Sequence, residues 1–314
     1  MRHTFQHADF EALAELWNEF YPDKYAIDAA TLERNTVKSP VFDWGVSQIE
    51  TDESGKVLGF VAFKRSAASL FKGPSIDQAH LSAIAYRDPK IAVDLVAEAK
   101  RIFRNRGVNK VFFGGDSRHF WPGCPSECGG ICGFLMVEGF EDGGEAHDLE
   151  RDLSDYTPPY PRPEGFDFRP LESDDDLVAL RVFLENEFPG RWLHDTMEKT
   201  RVEEDPSCVV AAFDGAKVVG FALIQNSQCK QPIGGGVWGK ALGENWGALG
   251  PIGVAADMRG RGLGHGVLGA ALLHLKGLGV RKCIIDWTTL DEFYGKHGFQ
   301  VTRVYKACSL RLGD

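Results

Sequence analysis

Apolar and polar positions alternate along this chain in a series of short elements that occurs twice. In the second half, FDFRPL opens a strand at residue 166. SDDDLVALRVFLENEF follows as a helix, with Ser173 at its N-cap and acids in its first turn. CVVAAFDG and KVVGFALIQN read as the two strands of a hairpin. GALGPIGVAADM predicts a strand that carries glycines and a proline. GHGVLGAALLHLKGLG keeps helical spacing at Leu263, Val267, Leu268, Ala271, Leu272 and Leu275, and Gly277 or Gly279 ends it. RKCIIDW is a buried strand, LDEFYGKHG a short helix, and FQVTRVYKACSLRL closes as paired strands.

The first half carries the same signals. KVLGFVAF at 56–63 matches KVVGFALI at 217–224, an offset of 161 residues. NKVFFGGD at 109–116 matches RKCIIDWT at 281–288 with an offset of 172, and FLMVEGF at 134–140 matches FYGKHGF at 293–299 with an offset of 159. The second half therefore carries an insertion after its hairpin, and the first half one before its last helix. A repeat this long is a duplicated domain rather than a solenoid. DYTPPYPRPEG, with four prolines, reads as a stiff linker. The expected organisation is a domain over 1–154, a linker over 155–165 and a domain over 166–314. The expected fold class is α+β, or mixed α/β, each domain a twisted, mostly antiparallel sheet flanked by helices.

Composition narrows the possible functions. A net charge of −10 argues against a general nucleic-acid binder, which shows a basic surface. No apolar run approaches the roughly 20 residues that cross a bilayer, so no membrane role is expected. MRHTFQHADF has no apolar core of a secretion signal, and seven cysteines at scattered spacings do not form a disulfide framework. A reducing cytoplasm is the expected location. Cys124, Cys128 and Cys132 are spaced by four, which on a helix would put three thiols on one face. Pro125 and Gly129–Gly130 argue against a helix through them, so they are read as loop cysteines and no metal is expected.

The richest chemical signal is MRGRGLGHGV at 258–267, between a predicted strand and a predicted helix. A helix N-terminus offers unpaired N–H groups and a partial positive charge, hence a ready anion site. Glycines let a large anion approach the backbone, and Arg259 and Arg261 add charged donors. A phosphate or pyrophosphate suits this chemistry. RGRGLG is not a Walker loop, because no GK[ST] follows, and it lacks the context of a dinucleotide fingerprint.

RGRGLG does fit the pattern [RQ]-x-x-G-x-[GA] in a strand–loop–helix setting, and there the sequence resembles the GNAT family of acyl-CoA-dependent N-acyltransferases. The resemblance implies that Arg259, Gly260, Arg261, Gly262, Leu263 and Gly264 hold the coenzyme A pyrophosphate. It implies that the preceding strand splays from its neighbour and pairs with the pantetheine arm through Ile252, Gly253 and Val254. A second motif agrees: Tyr294-Gly-Lys-His-Gly298-Phe299 matches the family's tyrosine, triplet and Gly-Phe. There the tyrosine is a general acid for the departing thiolate, which makes Tyr294 the candidate catalytic residue. The family often has an asparagine seven residues before that tyrosine, where this chain has Trp287.

At the loop position the first half reads AYRDPKIAVDLV, which keeps Arg87 but replaces the glycines, and Leu135 stands where the second half has Tyr294. The first domain is therefore read as a degenerate copy. Asp116, Arg118, His119, Phe120 and Trp121 lie in its own insertion, as pocket lining or as packing. The insertion at 226–246 is read as a mobile lid, with GGG at 234–236 for flexibility and Trp238 and Trp246 over the acceptor. Glu244, Asp286, Asp291 and Glu292 are alternative acids near the acceptor, none singled out as base. His265 is placed beside the loop and His297 on the surface. The resemblance implies transfer of an acetyl group from acetyl-CoA to a primary amine within a ternary complex. The alternative is a non-catalytic acyl-CoA sensor or scaffold. Acceptor and oligomeric state are not readable.

Overall fold

In the computed structural model the described residues are 1–66 and 77–313. Their strands are β1 (Arg2–His3), β2 (Gln48–Thr51), β3 (Val57–Arg65), β4 (Gln78–Tyr86), β5 (Lys110–Phe113), β6 (Cys124–Pro125), β7 (Glu141–Asp152), β8 (Asp167–Pro170), β9 (Val209–Asp214), β10 (Lys217–Asn226), β11 (Trp246–Val254), β12 (Lys282–Thr288) and β13 (Gln300–Arg311). The helices are α1 (Phe10–Phe20), α2 (Ala29–Asn35), α3 (Pro89–Asn105), α4 (Gly129–Val137), α5 (Asp174–Glu187), α6 (Arg191–Glu203), α7 (Gly239–Leu242), α8 (Leu263–Gly277) and α9 (Asp291–Gly295). Two compact units divide them: 1–66, 77–147 and 303–313 in the first, 148–302 in the second.

In the first unit the strand order is β1-β2-β3-β4-β5, and the last residues of β13 pair with β5 from Cys308↔Phe113 to Arg311↔Lys110. β4 and β5 are parallel and the other pairs antiparallel. The 109–121 stretch folds inward: Trp121 stacks on Trp17 with ring centroids 4.8 Å apart and on Phe113 at 5.6 Å. Asp116, Phe120 and Trp121 are buried, so these residues are packing. Beneath them Lys64 Nζ lies 2.5 Å from Asp116 Oδ2, with both side chains sealed from solvent. Ser82 Oγ donates to the same carboxylate at 2.9 Å, and Lys64 also donates to the Ser117 and Arg118 carbonyls at 3.0 Å. Burial pushes the Asp116 carboxyl up, but Lys64 and His80 outweigh it and hold the pKa below its ordinary value.

In the second unit the order is β8-β9-β10-β11-β12. Period-two alternation in β9 sends Val210 and Ala212 to one face, against Val267, Leu268 and Leu272 of α8. Val209, Ala211 and Phe213 go to the other face, against Leu180 and Leu184 of α5. A strand covered on both faces reads as a continuous apolar run, and that explains VVAAF. Ser173 caps α5 by accepting from the Asp176 N–H, as expected. Segment 155–165 lies along α8, with Pro158 against Gly269 and Pro163 against Gly262 and Gly266.

Four expectations are corrected. The closing segment is one strand, not a pair. The insertion at 226–246 is packed: residues Gly234–Trp238 form a 3-10 helix, and Trp238 and Trp246 are buried. Its glycines serve contact, since a Cβ on Gly235 would stand 2.7 Å from Ile284 and one on Gly239 2.7 Å from Trp246. Cys132 lies on a helix, α4, which starts at Gly129. His297 is buried: the Tyr156 hydroxyl bonds its Nδ1 at 2.8 Å, and its Nε2 meets His265 Nδ1 at 3.0 Å. Burial, then the neighbouring His265 and Arg151, lower the His297 pKa to about 4.

Two outcomes follow. Asp116→Ala leaves the Lys64 ammonium buried without its carboxylate, and denaturant unfolding should show a loss of about 3–5 kcal/mol. His297 stays neutral in the fold, while the unfolded chain takes up its proton near pH 6.5. The stability it contributes is therefore complete above that pH and is lost as pH falls from about 6.5 to about 4. Unfolding measured across that window should show a fall of about 2–3 kcal/mol, reduced in His297→Gln.

Candidate active site

Two strands that start together and then part define the site. β11 and β12 run parallel and pair at Trp246↔Lys282, Gly247↔Cys283 and Ala248↔Ile284. Beyond Ala248, β11 continues its ladder with β10 as far as Val254↔Gly220, while its register with β12 ends. The parting coincides with a bulge. Leu249 pairs with Ile224 and Ile252 with Ala222, so Gly250 and Pro251 stand opposite the single residue Leu223. Such a bulge re-aims a strand and its backbone groups. Ile252, Gly253 and Val254, the predicted backbone partners, lie in this parted stretch and are half-exposed. A Cβ on Gly253 would stand 2.5 Å from the Phe188 ring, so glycine there lets an aromatic wall lie against the strand.

Asp286 marks the fork. Its Oδ1 lies 3.6 Å from where a Cβ on Gly250 would stand, and 2.7 Å from the same point on Gly234. Tyr294, on α9, belongs to the same neighbourhood. Burial pushes its phenol well above the ordinary range, the Asp286 charge adds to this, and a hydrogen bond with Thr288 opposes it. The group therefore keeps its proton at neutral pH and suits donation to a developing anion.

The glycine loop follows β11. Ala256–Met258 make a 3-10 turn, and the Ala256 N–H donates to Glu187 at 2.9 Å. Residues 259–262 are exposed, with Gly260 at φ 78° and Gly262 at φ 80°, the left-handed region that favours glycine. Gly262 is the N-cap of α8 and supplies no side-chain cap. The Gly266 N–H bonds the Gly262 carbonyl, so the N–H groups of Leu263, Gly264 and His265 precede the first intrahelical bond. The Leu263 side chain is buried in the core and anchors the loop. Arg261 is held by its neighbours: Nη1 lies 2.8 Å from Met258 Sδ, and the guanidinium sits 5.1 Å from the Phe166 ring centroid. Arg259 is exposed. His265 is tied to His297 and stacked on Tyr160 at 4.3 Å, which orients a ring in the first turn of the helix.

One contribution had no counterpart in the sequence analysis. Helix α6 brings Arg191 over the Trp287 ring at 4.7 Å, and Arg191 pairs with Asp195 at 3.1 Å. Burial raises the Asp195 carboxyl, but His194 and Arg191 hold it below its ordinary range. The signal for this helix was in its charges, since Arg191–Asp195 and Lys199–Glu203 are i,i+4 pairs. Of the other acids considered, Glu244 and Glu292 are exposed and Asp291 is half-exposed at the start of α9.

The same positions in the first unit are filled by its own atoms. Ile84, paired with Val61 as Ile252 is with Ala222, has its carbonyl taken by the Tyr21 hydroxyl at 2.7 Å. Helix α3 is capped by Asp88, whose carboxylate accepts from the Lys90 N–H at 2.9 Å, and Pro89 has no N–H to give. Arg87 donates to the Val57 carbonyl at 3.1 Å and pairs with Glu19. Leu135 is buried.

Among the described residues no helix is long and apolar enough to cross a membrane. No curated protein matches the sequence. Residues 177–299 match the model of the acetyltransferase (GNAT) family. The chain is similar to a solved structure described as a GCN5-related glucosamine N-acetyltransferase region of a fungal multi-domain GH3 β-N-acetylglucosaminidase, at TM-score 0.84 and 20% identity. That match covers 99% of this chain, which spans 38% of the length of the other. A GCN5-related N-acetyltransferase from Sphaerobacter thermophilus matches at TM-score 0.72 and 16% identity, covering 100% of this chain and 96% of its own. A tandem GNAT protein from the clavulanic acid biosynthesis pathway matches at TM-score 0.67 and 14% identity, covering 100% and 98%. With a parted strand pair and a glycine-capped helix in the second unit, and both positions filled in the first, residues 177–299 form a GNAT-family domain within a chain that has the tandem GNAT fold throughout.

Proposed function

We propose that the second unit transfers an acetyl group from acetyl-CoA to a primary amine, and that the first unit binds no coenzyme A. The observation that carries this is the open flank of β11 beyond Ala248, running into an uncapped helix N-terminus. In this reading the backbone of Ile252, Gly253 and Val254 pairs with the pantetheine arm as an added strand. The N–H groups of Gly260, Gly262, Leu263 and Gly264, with the Arg259 and Arg261 guanidiniums, hold the pyrophosphate. The amine nitrogen attacks the thioester carbonyl carbon, the C–S bond breaks, and the Tyr294 hydroxyl gives its proton to the departing sulfur. The amine proton leaves to solvent, and the Tyr294 oxygen takes one back from solvent. Rate comes mainly from holding the two reactants together. The described glucosamine activity of the fungal neighbour makes amino sugars the first acceptors to test. The free cysteines suit a reducing cytoplasm.

Calorimetric titration with acetyl-CoA should give one site per chain. No binding would overturn the transferase reading, and two sites would overturn the silent first unit. Tyr294→Phe should lower kcat by about 100-fold or more while the Kd for acetyl-CoA stays within about twofold. Gly262→Val should weaken acetyl-CoA binding by about tenfold or more, because a β-branched residue resists the positive φ at that position.

A further inference from the structure

Away from this site, the first unit holds three thiols together. Cys124 on β6 and Cys132 on α4 have Sγ atoms 2.7 Å apart, and Cys308 on β13 hydrogen-bonds Cys124. They line a cavity of about 110 Å³ with Lys306 and Asp142 at its rim. The residues come from distant stretches, with β6 laid antiparallel to β13 through Lys306↔Cys124. Among the described residues no group of three or more His, Cys, Asp or Glu is arranged to hold an ion. The cavity has room for a molecule of a few heavy atoms, since a water occupies about 30 Å³.

We propose that Cys124, Cys132 and Cys308 form a peroxide-responsive site that oxidises to a Cys124–Cys132 disulfide by way of a Cys308 sulfenic acid. The three thiols are not equivalent. Cys124 is pushed up by its hydrogen bond with Cys308 and by burial, and burial raises Cys132, Cys128, Cys208 and Cys283. Cys308 is held down by its hydrogen bonds with Cys124, against its burial and the Asp142 charge, with Lys306 a smaller lowering effect. A thiolate is the nucleophile toward peroxide, so the first step belongs to Cys308. Its sulfur attacks one oxygen of hydrogen peroxide, the O–O bond breaks, and Cys308–SOH forms as hydroxide leaves. That hydroxide takes the Cys124 proton and becomes water. The Cys124 sulfur then displaces the second hydroxide from Cys308, which takes up the proton Cys308 had released, and a Cys124–Cys308 disulfide results. Cys132, beside Cys124, gives its proton to solvent, and its sulfur attacks Cys124 and expels the Cys308 thiolate, because the thiol of lowest pKa leaves fastest. Two thiols and one peroxide become one disulfide and two waters.

The test is a graded peroxide treatment of the full chain, followed by alkylation and peptide mass mapping. The expected product has lost about 2 Da, carries a Cys124–Cys132 link, and has two of its seven thiols blocked before Cys208, Cys229 or Cys283 reacts. In Cys308→Ser, with Cys308→Ala as a second variant and melting temperature as a check on folding, the same link should form about tenfold or more slowly. The proposal is overturned if the remaining cysteines oxidise at the same dose. It is also overturned if the wild-type chain gains oxygen without a link, or if folded Cys308 variants oxidise as fast as the parent. The mapping of the wild-type chain decides the first two points whether or not a variant folds.

Discussion

A strand edge that loses its partner must satisfy its amide and carbonyl groups in some other way, and this constraint sets the character of both units. In each, a parallel pair starts in register and then parts, after Ala248↔Ile284 in one and after Leu81↔Phe113 in the other. The first unit meets the requirement internally. Tyr21 takes the Ile84 carbonyl, the buried Lys64–Asp116 pair and Trp121 fill the fork, and Asp88 caps the helix beyond. The second unit keeps the edge half-exposed and places glycine where the other has a carboxylate cap. One architecture is thus closed by its own side chains in one copy and left half-exposed in the other.

The fold was legible where burial imposes a period. Both β9 and α8 are enclosed by apolar neighbours, so their apolar residues recur at strand and helix spacing and their limits agree with the structure. Legibility failed where packing relies on something else. Helix α6 buries Thr196, Lys199 and Thr200, which give no apolar stripe, and ion pairs along its length support it instead. The glycines at 234–236 suggest freedom by composition, yet they are there because Ile284, Gln225 and Asp286 press against the backbone.

At the site, the loop was legible because its chemistry is local: glycines at positive φ, an uncapped helix start and arginines share one stretch of ten residues. The expected place of Tyr294 on a short helix before Phe299 was legible, and it lies on α9. Its surroundings were not legible, since Asp286 and Thr288 reach it from β12, one through its charge and the other through a hydrogen bond. His297 shows the same limit. A histidine among Gly, Lys and Gly looks solvated, and it is covered by Tyr156 and Tyr160 of the proline-rich segment, more than a hundred residues earlier, together with His265 and Phe293.

The placement of residues 303–313 has a consequence for biosynthesis. They bond to β5, yet they leave the ribosome after every residue of the second unit. The amino-terminal unit therefore waits with an open β5 edge while the later unit is made, which inverts the usual order in which domains mature on a growing chain. During that interval a bare parallel-sheet edge invites wrong pairing. A chain released after residue 302 would carry every residue of the second unit and still lack the strand that completes the first.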